Sequence, residues 1–300
     1  MKPINIWIEA FRLRTLPLAM SATILGSFLG FSEGSFKWGV FIFGMMTTLF
    51  LQILSNLAND YGDAVKGSDN EKRIGPLRVT SAGLVTRKQM KQMIYLFVLL
   101  SLTSGILLIW SGLGDTLSLV HLVFLLLGIA AIAAAIKYTV GKRPYGYAGL
   151  GDIMVFIFFG ILGVVGTFFL HTRTIAPDAF IPAAAIGLFS MGVLNLNNMR
   201  DRENDRENGK NTLVVRFGAR WAKHYHLILI LTGISMGLLY TILNYESALQ
   251  LLFLLSVPLL AMDVQKVLAN TVPVELNAEL KRLSLATLLF SLSFGVGLVL

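Results

Sequence analysis

Cysteine is absent from the chain, which excludes disulfides and thiolate-bound metal and leaves the redox compartment unread. Charge is scarce as well: 14% of 300 residues are Asp, Glu, Lys or Arg, against 55% hydrophobic. The four histidines, His121, His171, His224 and His226, do not recur at metal-ligand spacing and read as structural. Neither the G-x-x-x-x-G-K-[ST] phosphate loop nor the D-x-x-D-G-x-x-A-R pattern of CDP-alcohol phosphotransfer occurs. Nucleotide hydrolysis and that phosphotransfer therefore lack their residues.

What is present is apolar length. Nine runs contain no Asp, Glu, Lys or Arg, starting with Thr15 to Ser32 and Trp38 to Asn59 and closing with Leu283 to Leu300. Each is near the roughly 17 to 25 residues an apolar helix needs to cross a bilayer. The expected fold class is all-α: a polytopic membrane protein of about nine spans around a central cavity, residues 1–300 forming one domain. The first run follows Arg12 and Arg14 without a small-residue cleavage site, so it reads as a retained helix. The eighth run is expected to continue past Asp263 into the interface.

The net charge of +8 follows topology rather than nucleic acid. Placing the N-terminus in the cytoplasm puts 23 of the 25 basic residues on the inside, and only Lys37 and Arg173 outside. Trp7 and Trp221 then fall at inner boundaries, Trp38 and Trp110 at outer ones, where amphipathic rings favour the headgroups. An odd number of spans leaves the C-terminus outside.

Against this apolar background, Asn195 to Arg216 carries nine ionisable side chains directly after a long apolar run. Asp201 and Asp205 are four apart, so on a continuing helix their carboxylates share a face, with Asn198 one turn earlier. A second Asn-and-Asp cluster follows span two, where Asn59 and Asp63 are one turn apart and Gly62 and Gly67 let the chain bend Asp69 back. Span two and span six run the same way into these clusters. That relation predicts two parallel four-helix units plus a ninth helix.

Hard oxygen donors without Cys or paired His select Mg²⁺ or a similar cation. Mg²⁺ takes one or two carboxylates plus substrate phosphates, so two Asp clusters facing one cavity suit a diphosphate. Arg78, Lys142, Lys210 and Arg216 are the candidate diphosphate contacts. The third inner loop, Lys137 to Asp152, combines cations, phenols and glycines and suits an anionic aromatic ligand. From these residues the reading is cleavage or transfer of a lipid diphosphate, with a cation-coupled transporter as the rival.

The stretches N-D-Y-G-D-A-V-K-G-S-D, G-P-L-R, Y-T-V-G-K-R-P-Y-G-Y-A-G-L-G-D and N-N-M-R-D-R-E-N-D-R-E-N-G-K-N-T resemble the UbiA-type membrane prenyltransferases, in their naphthoate-prenylating branch. The likeness covers nearly the whole chain in motif order. It implies a nine-helix fold in the cytoplasmic membrane, Mg²⁺, a polyprenyl diphosphate donor, and 1,4-dihydroxy-2-naphthoate or another aromatic acceptor, with membrane lipid around the protein and no nucleic acid. The metal positions carry over to Asn59, Asp63 and Asp69, with Asp60 adjacent, and to Asn198, Asp201 and Asp205. Gly67 stands where the wider family has its third acidic residue, and Asp69 lies two positions later. Lys137, Tyr138, Arg143, Tyr147 and Asp152 are the candidates for acceptor placement.

Overall fold

A computed structural model describes residues 3–67, 74–75 and 78–300. Among the described residues there is no strand, and nine helices are long and apolar enough to cross a membrane. They are α1 (Ile4–Ser32), α2 (Trp38–Lys66), α3 (Arg87–Leu113), α4 (Leu119–Lys137), α5 (Gly151–Thr172), α6 (Pro177–Arg200), α7 (Ala219–Leu243), α8 (Ala248–Ala269) and α9 (Pro273–Val299). The protein is multi-pass, and the eighth span runs beyond Asp263 as expected. Trp38 opens α2 and Trp110 lies in the last turn of α3, at one end of the bundle. Trp221 lies in the first turn of α7, at the other.

Local chemistry fixes the helix ends that matter for the site. The α2 helix continues past its apolar run through Asn59, Asp60 and Asp63, and stops where Gly67 takes φ 71°, a left-handed conformation that costs glycine little. Thr86 and Gln89 form a reciprocal capping box that starts α3. The α5 helix winds as a π-helix over Phe156–Gly166. Its cavity-lining residues Met154, Phe158, Leu162, Gly166 and Leu170 recur every four positions. In a helix of 3.6 residues per turn such a stripe drifts about 40° per step. The wider π turn over Phe156–Gly166 drifts the opposite way, so the two partly cancel along the span.

The packing refines the expected two-unit division. One apolar core joins α1 to the helices from α5 onward, through residues such as Leu25, Phe168, Phe189, Phe290 and Phe294. A smaller core, with Leu54, Leu57, Met90 and Phe97, joins α2 and α3 to the N-terminal turns. The ninth helix packs on α1, α6 and α8 and closes the ring. Polar pairs stitch the first helices together: Thr23 and Thr48 hydroxyls lie 2.8 Å apart, and Thr47 donates to Ser104 at 2.9 Å.

The two basic residues assigned to the outside cap helix ends. Lys37 Nζ donates to the carbonyls of Gly112 (2.9 Å) and Leu170 (3.0 Å), and Arg173 Nε donates to Gly112 (3.0 Å). These carbonyls lie at the C-terminal ends of α3 and α5, where cations complement the helix dipole. The Lys37 amide donates to His171 Nδ1 (3.0 Å), so His171 carries its proton on Nε2 and donates it to Ser27 Oγ (3.0 Å). These bonds tie the ends of α1, α3 and α5 together. Lys37→Met is expected to lower stability by about 2 kcal/mol, the worth of a charge-assisted hydrogen bond, with Arg173 retaining the other. Thermal unfolding of the purified protein measures it, and an unchanged midpoint would refute the cap.

Candidate active site

Inside the ring lies a cavity of about 360 Å³, lined by α1 to α6 and α9. Its walls are mostly apolar along the membrane. At its inner end stand Asn59, Arg78, Tyr138, Asn198, Arg200, Asp201 and Lys210. Span two and span six therefore do deliver their two clusters to one place.

The second cluster is built around a bend. The α6 helix ends at Arg200, and a short helix, Arg202–Glu207, follows. The backbone bond from Asp205 N to Asp201 O (2.8 Å) carries the four-residue spacing across the bend, although the helix does not continue straight. Arg200 grips Asp201 through both guanidinium edges, Nε to Oδ1 at 2.9 Å and Nη2 to Oδ2 at 2.6 Å, and its Nη1 reaches Asn277 Oδ1 of α9 at 2.9 Å. Asp205 is buried, with Oδ1 3.3 Å from Lys210 Nζ, and its Oδ2 is buried without a hydrogen-bond partner among the described residues. Burial pushes its carboxyl up to about 6, against the pull of Lys210.

The first cluster divides its work. Asp63 is paired with Arg78 at 2.7 Å. Asn59 Oδ1 accepts from Thr139 at 3.1 Å and lines the cavity. Asp60 is turned elsewhere: its two oxygens accept the backbone amides of Val79 (3.0 Å) and Thr80 (3.1 Å), pinning the loop that carries Arg78. Asp69 lies outside the described residues.

The third inner loop wedges between the clusters. Tyr147 donates to Asp63 Oδ1 at 3.3 Å. Lys66 Nζ sits 3.6 Å from its ring centroid and Lys210 Nζ 5.9 Å. The Tyr147 carbonyl accepts the Asn211 amide at 3.0 Å. Tyr147 thus belongs to the carboxylate cluster, where the sequence reading gave it to an acceptor. Tyr138 does face the cavity, and burial pushes its hydroxyl up to about 12, so at neutral pH it is a proton donor. Tyr145 joins it edge-on at 5.4 Å.

Several expectations need correction. Lys137, Lys142 and Arg143 are exposed and do not line the cavity, because the loop turns its cations away from it. Arg216 donates to the Ala148 carbonyl at 2.8 Å, bracing the third loop, and does not line the cavity. Asp152 is buried off the cavity and accepts from Tyr225 at 3.1 Å.

Three cavity cations escaped the sequence reading: Arg12, Arg14 and Arg200. The first two had been counted as topology. Arg12 takes φ 53°, uncommon for a side-chain-bearing residue, and breaks α1 before the turn Leu13–Thr15. Asn56 holds the break from α2, donating to Phe11 O (2.9 Å) and Thr15 Oγ1 (3.2 Å). Arg200 carried no sequence signal beyond its place before Asp201.

Residues 19–285 match the UbiA prenyltransferase family. The chain belongs to that family. Among its UbiA relatives, the 1,4-dihydroxy-2-naphthoate octaprenyltransferase of Escherichia coli (strain K12) is 45% identical over 98% of this chain and 95% of that protein. The enzyme of the same name from Haemophilus influenzae is 43% identical over 99% and 96%. The solved apo structure of a UbiA homolog from Aeropyrum pernix K1 superposes with a TM-score of 0.68 at 16% identity, covering 96% of this chain and 98% of that one. A UbiA homolog from Archaeoglobus fulgidus, bound to DMAPP and Mg²⁺, gives 0.56 at 16% identity over 96% and 98%. These solved structures establish the shared fold.

Proposed function

We propose that this UbiA protein transfers a polyprenyl group from its diphosphate to 1,4-dihydroxy-2-naphthoate, giving demethylmenaquinol, diphosphate and carbon dioxide. The observation that carries the reading is the meeting of Arg78, Arg200, Lys210 and three carboxylates at the inner end of an otherwise apolar cavity. The names of the relatives, 43% and 45% identical across nearly the full chain, support the acceptor. All 300 residues are taken as one domain in the cytoplasmic membrane, with the N-terminus and the charged end inside and the C-terminus outside.

The donor set fits a hard divalent cation. It offers carboxylate and amide oxygens, no thiolate or imidazole, and the buried Asp205 Oδ2, which has no hydrogen-bond partner among the described residues. Among the described residues no group of three His, Asp or Glu side chains is close enough to hold a metal by itself, so these carboxylates share one end of the cavity without forming a closed shell. Mg²⁺ typically takes one or two carboxylates and completes its shell from substrate phosphates. Asp63, Asp201 and Asp205, with Asn59 and Asn198, would hold it, and the motif adds Asp69. When bound, Mg²⁺ supplies positive charge against the leaving diphosphate.

The chain's own residues account for the rest. Arg78, Arg200 and Lys210 face phosphate oxygens as the allylic carbon–oxygen bond breaks. The apolar walls keep water from the allylic cation. Arg12 and Arg14 oppose the acceptor carboxylate, and the protonated Tyr138 hydroxyl donates a hydrogen bond to the acceptor. A carbon–carbon bond forms at the carboxyl-bearing ring carbon, and carbon dioxide leaves from it with the bonding pair returning to the ring.

Purified protein given octaprenyl diphosphate, dihydroxynaphthoate and Mg²⁺ is expected to yield the prenylated, decarboxylated product by mass spectrometry, to stop in excess EDTA and to resume with Mg²⁺. Product formation undiminished by EDTA would remove the metal. Preference for a different aromatic acceptor would remove the naphthoate, and solute uptake into proteoliposomes without covalent product would favour a transporter.

A further inference from the structure

Glycine inside a helix costs about 1 kcal/mol relative to alanine, so a glycine in a membrane span needs a return. In this protein the return is nearly always close packing. A Cβ added at Gly112 would lie 2.8 Å from Leu170, at Gly160 2.8 Å from the Ala183 carbonyl, and at Gly39 2.7 Å from Ser111. Two span glycines differ. Among the described residues, a Cβ at Gly128 would meet nothing within 4 Å, and one at Gly105 would meet only Thr47 Cγ2, at 4.0 Å. Both line the cavity.

Their places along the helices matter. Gly128 belongs to the lining stripe of α4 that includes Phe124, Ala131, Ala135 and Tyr138. It stands ten residues from Tyr138, about 15 Å into the membrane from the charged end. Gly105, on α3, faces the level of Thr47, twelve residues from Asn59 along α2, or about 18 Å. The two bare positions thus sit at similar depth on neighbouring walls. Just beyond, the walls close in: a Cβ on Gly166 of α5 would lie 3.8 Å from Phe124 of α4. An isoprene unit adds four carbons to its chain, roughly 5 Å with carbon–carbon bonds near 1.5 Å. The bare level therefore falls about three to four units from the diphosphate.

We infer that Gly105 and Gly128 determine which prenyl chain lengths the cavity accepts, by leaving the groove bare where a long chain must pass and a short one does not reach. The inference rests on the cavity holding a prenyl diphosphate, as proposed above. A branched side chain at either position would fill the groove beyond the second isoprene unit. It would discriminate by length, because a two-unit chain ends short of it.

The test compares geranyl and octaprenyl diphosphate as donors, with dihydroxynaphthoate and Mg²⁺, in wild type, Gly128→Leu, Gly105→Leu and Gly128→Ala. The readout is the ratio of kcat/KM for the octaprenyl donor to that for the geranyl donor. Either leucine is expected to lower the ratio by about 10- to 200-fold, the range for misfitting an apolar group in a hydrophobic pocket. Gly128→Ala, whose methyl meets no atom of the described residues within 4 Å, moves the ratio the same way by a smaller factor and guards against a leucine variant that fails to fold. Ratios unchanged across the set, whether all rates fall together or none does, would overturn the inference. A wild type that makes no product with either donor would instead overturn the function proposed above.

Discussion

Asp205→Asn is expected to lower the rate of diphosphate release by about 100- to 1,000-fold, the scale of removing one preorganised electrostatic group from an active site. The substitution conserves shape and removes one negative charge from a buried position whose Oδ2 has no hydrogen-bond partner among the described residues. An unpaired buried carboxylate oxygen is costly unless something positive completes it. Lys210, at 3.3 Å from Oδ1, serves one edge of the carboxylate only. If the other edge serves a divalent cation, asparagine leaves a neutral amide there, and both metal affinity and the charge opposing the leaving group fall. Turnover measured over a Mg²⁺ titration, beside a melting curve, separates this from unfolding. Wild-type turnover at limiting Mg²⁺ would sink the assignment of Asp205 to the metal.

The spans were legible because hydrocarbon thickness imposes a length on every crossing helix, and the unbroken apolar runs report it directly. The joint site was legible for a related reason. Two polar clusters at the ends of parallel spans have to face the same side, and Asp63, Asp201 and Asp205 do gather there. What failed to show was anything decided by contacts distant in sequence. Asp60 looked like a ligand beside Asp63, yet the amides of Val79 and Thr80, far along the chain, claim both of its oxygens. Lys142 and Arg143 had the right charge, but which way a short loop turns its side chains is set by its packing, here by Tyr145 donating to the Ala134 carbonyl at 2.9 Å. Arg12 and Arg14 satisfied the positive-inside count so well that their second position, at the cavity wall, left no trace in the pattern. A bare glycine such as Gly128 has no sequence signature at all, since packing glycines and open ones are the same letter.

The second large effect belongs to Arg200, which the fold places at the junction of the site and its scaffold. Its side chain is 3% exposed and that of Asp201 14%, so the two charges are largely withdrawn from water and each is held by the other. Truncating one member of such a buried pair removes its two-pronged, charge-assisted contact, and breaking a buried pair typically costs about 3 to 5 kcal/mol. Arg200→Met should therefore lower the unfolding midpoint of the purified protein by roughly 10 °C, taking the usual few degrees per kcal/mol for chains of this size. Activity should fall further than stability alone accounts for, because the same guanidinium fixes Asp201 and ties α6 to Asn277 on α9. Arg200→Lys discriminates the two roles. Lysine restores the charge but not the planar fork that binds both Asp201 oxygens and Asn277 at once. It should recover most of the midpoint and little of kcat. Full recovery of both would mean that charge alone matters there, and unchanged behaviour of Arg200→Met would mean that the pair holds nothing in place.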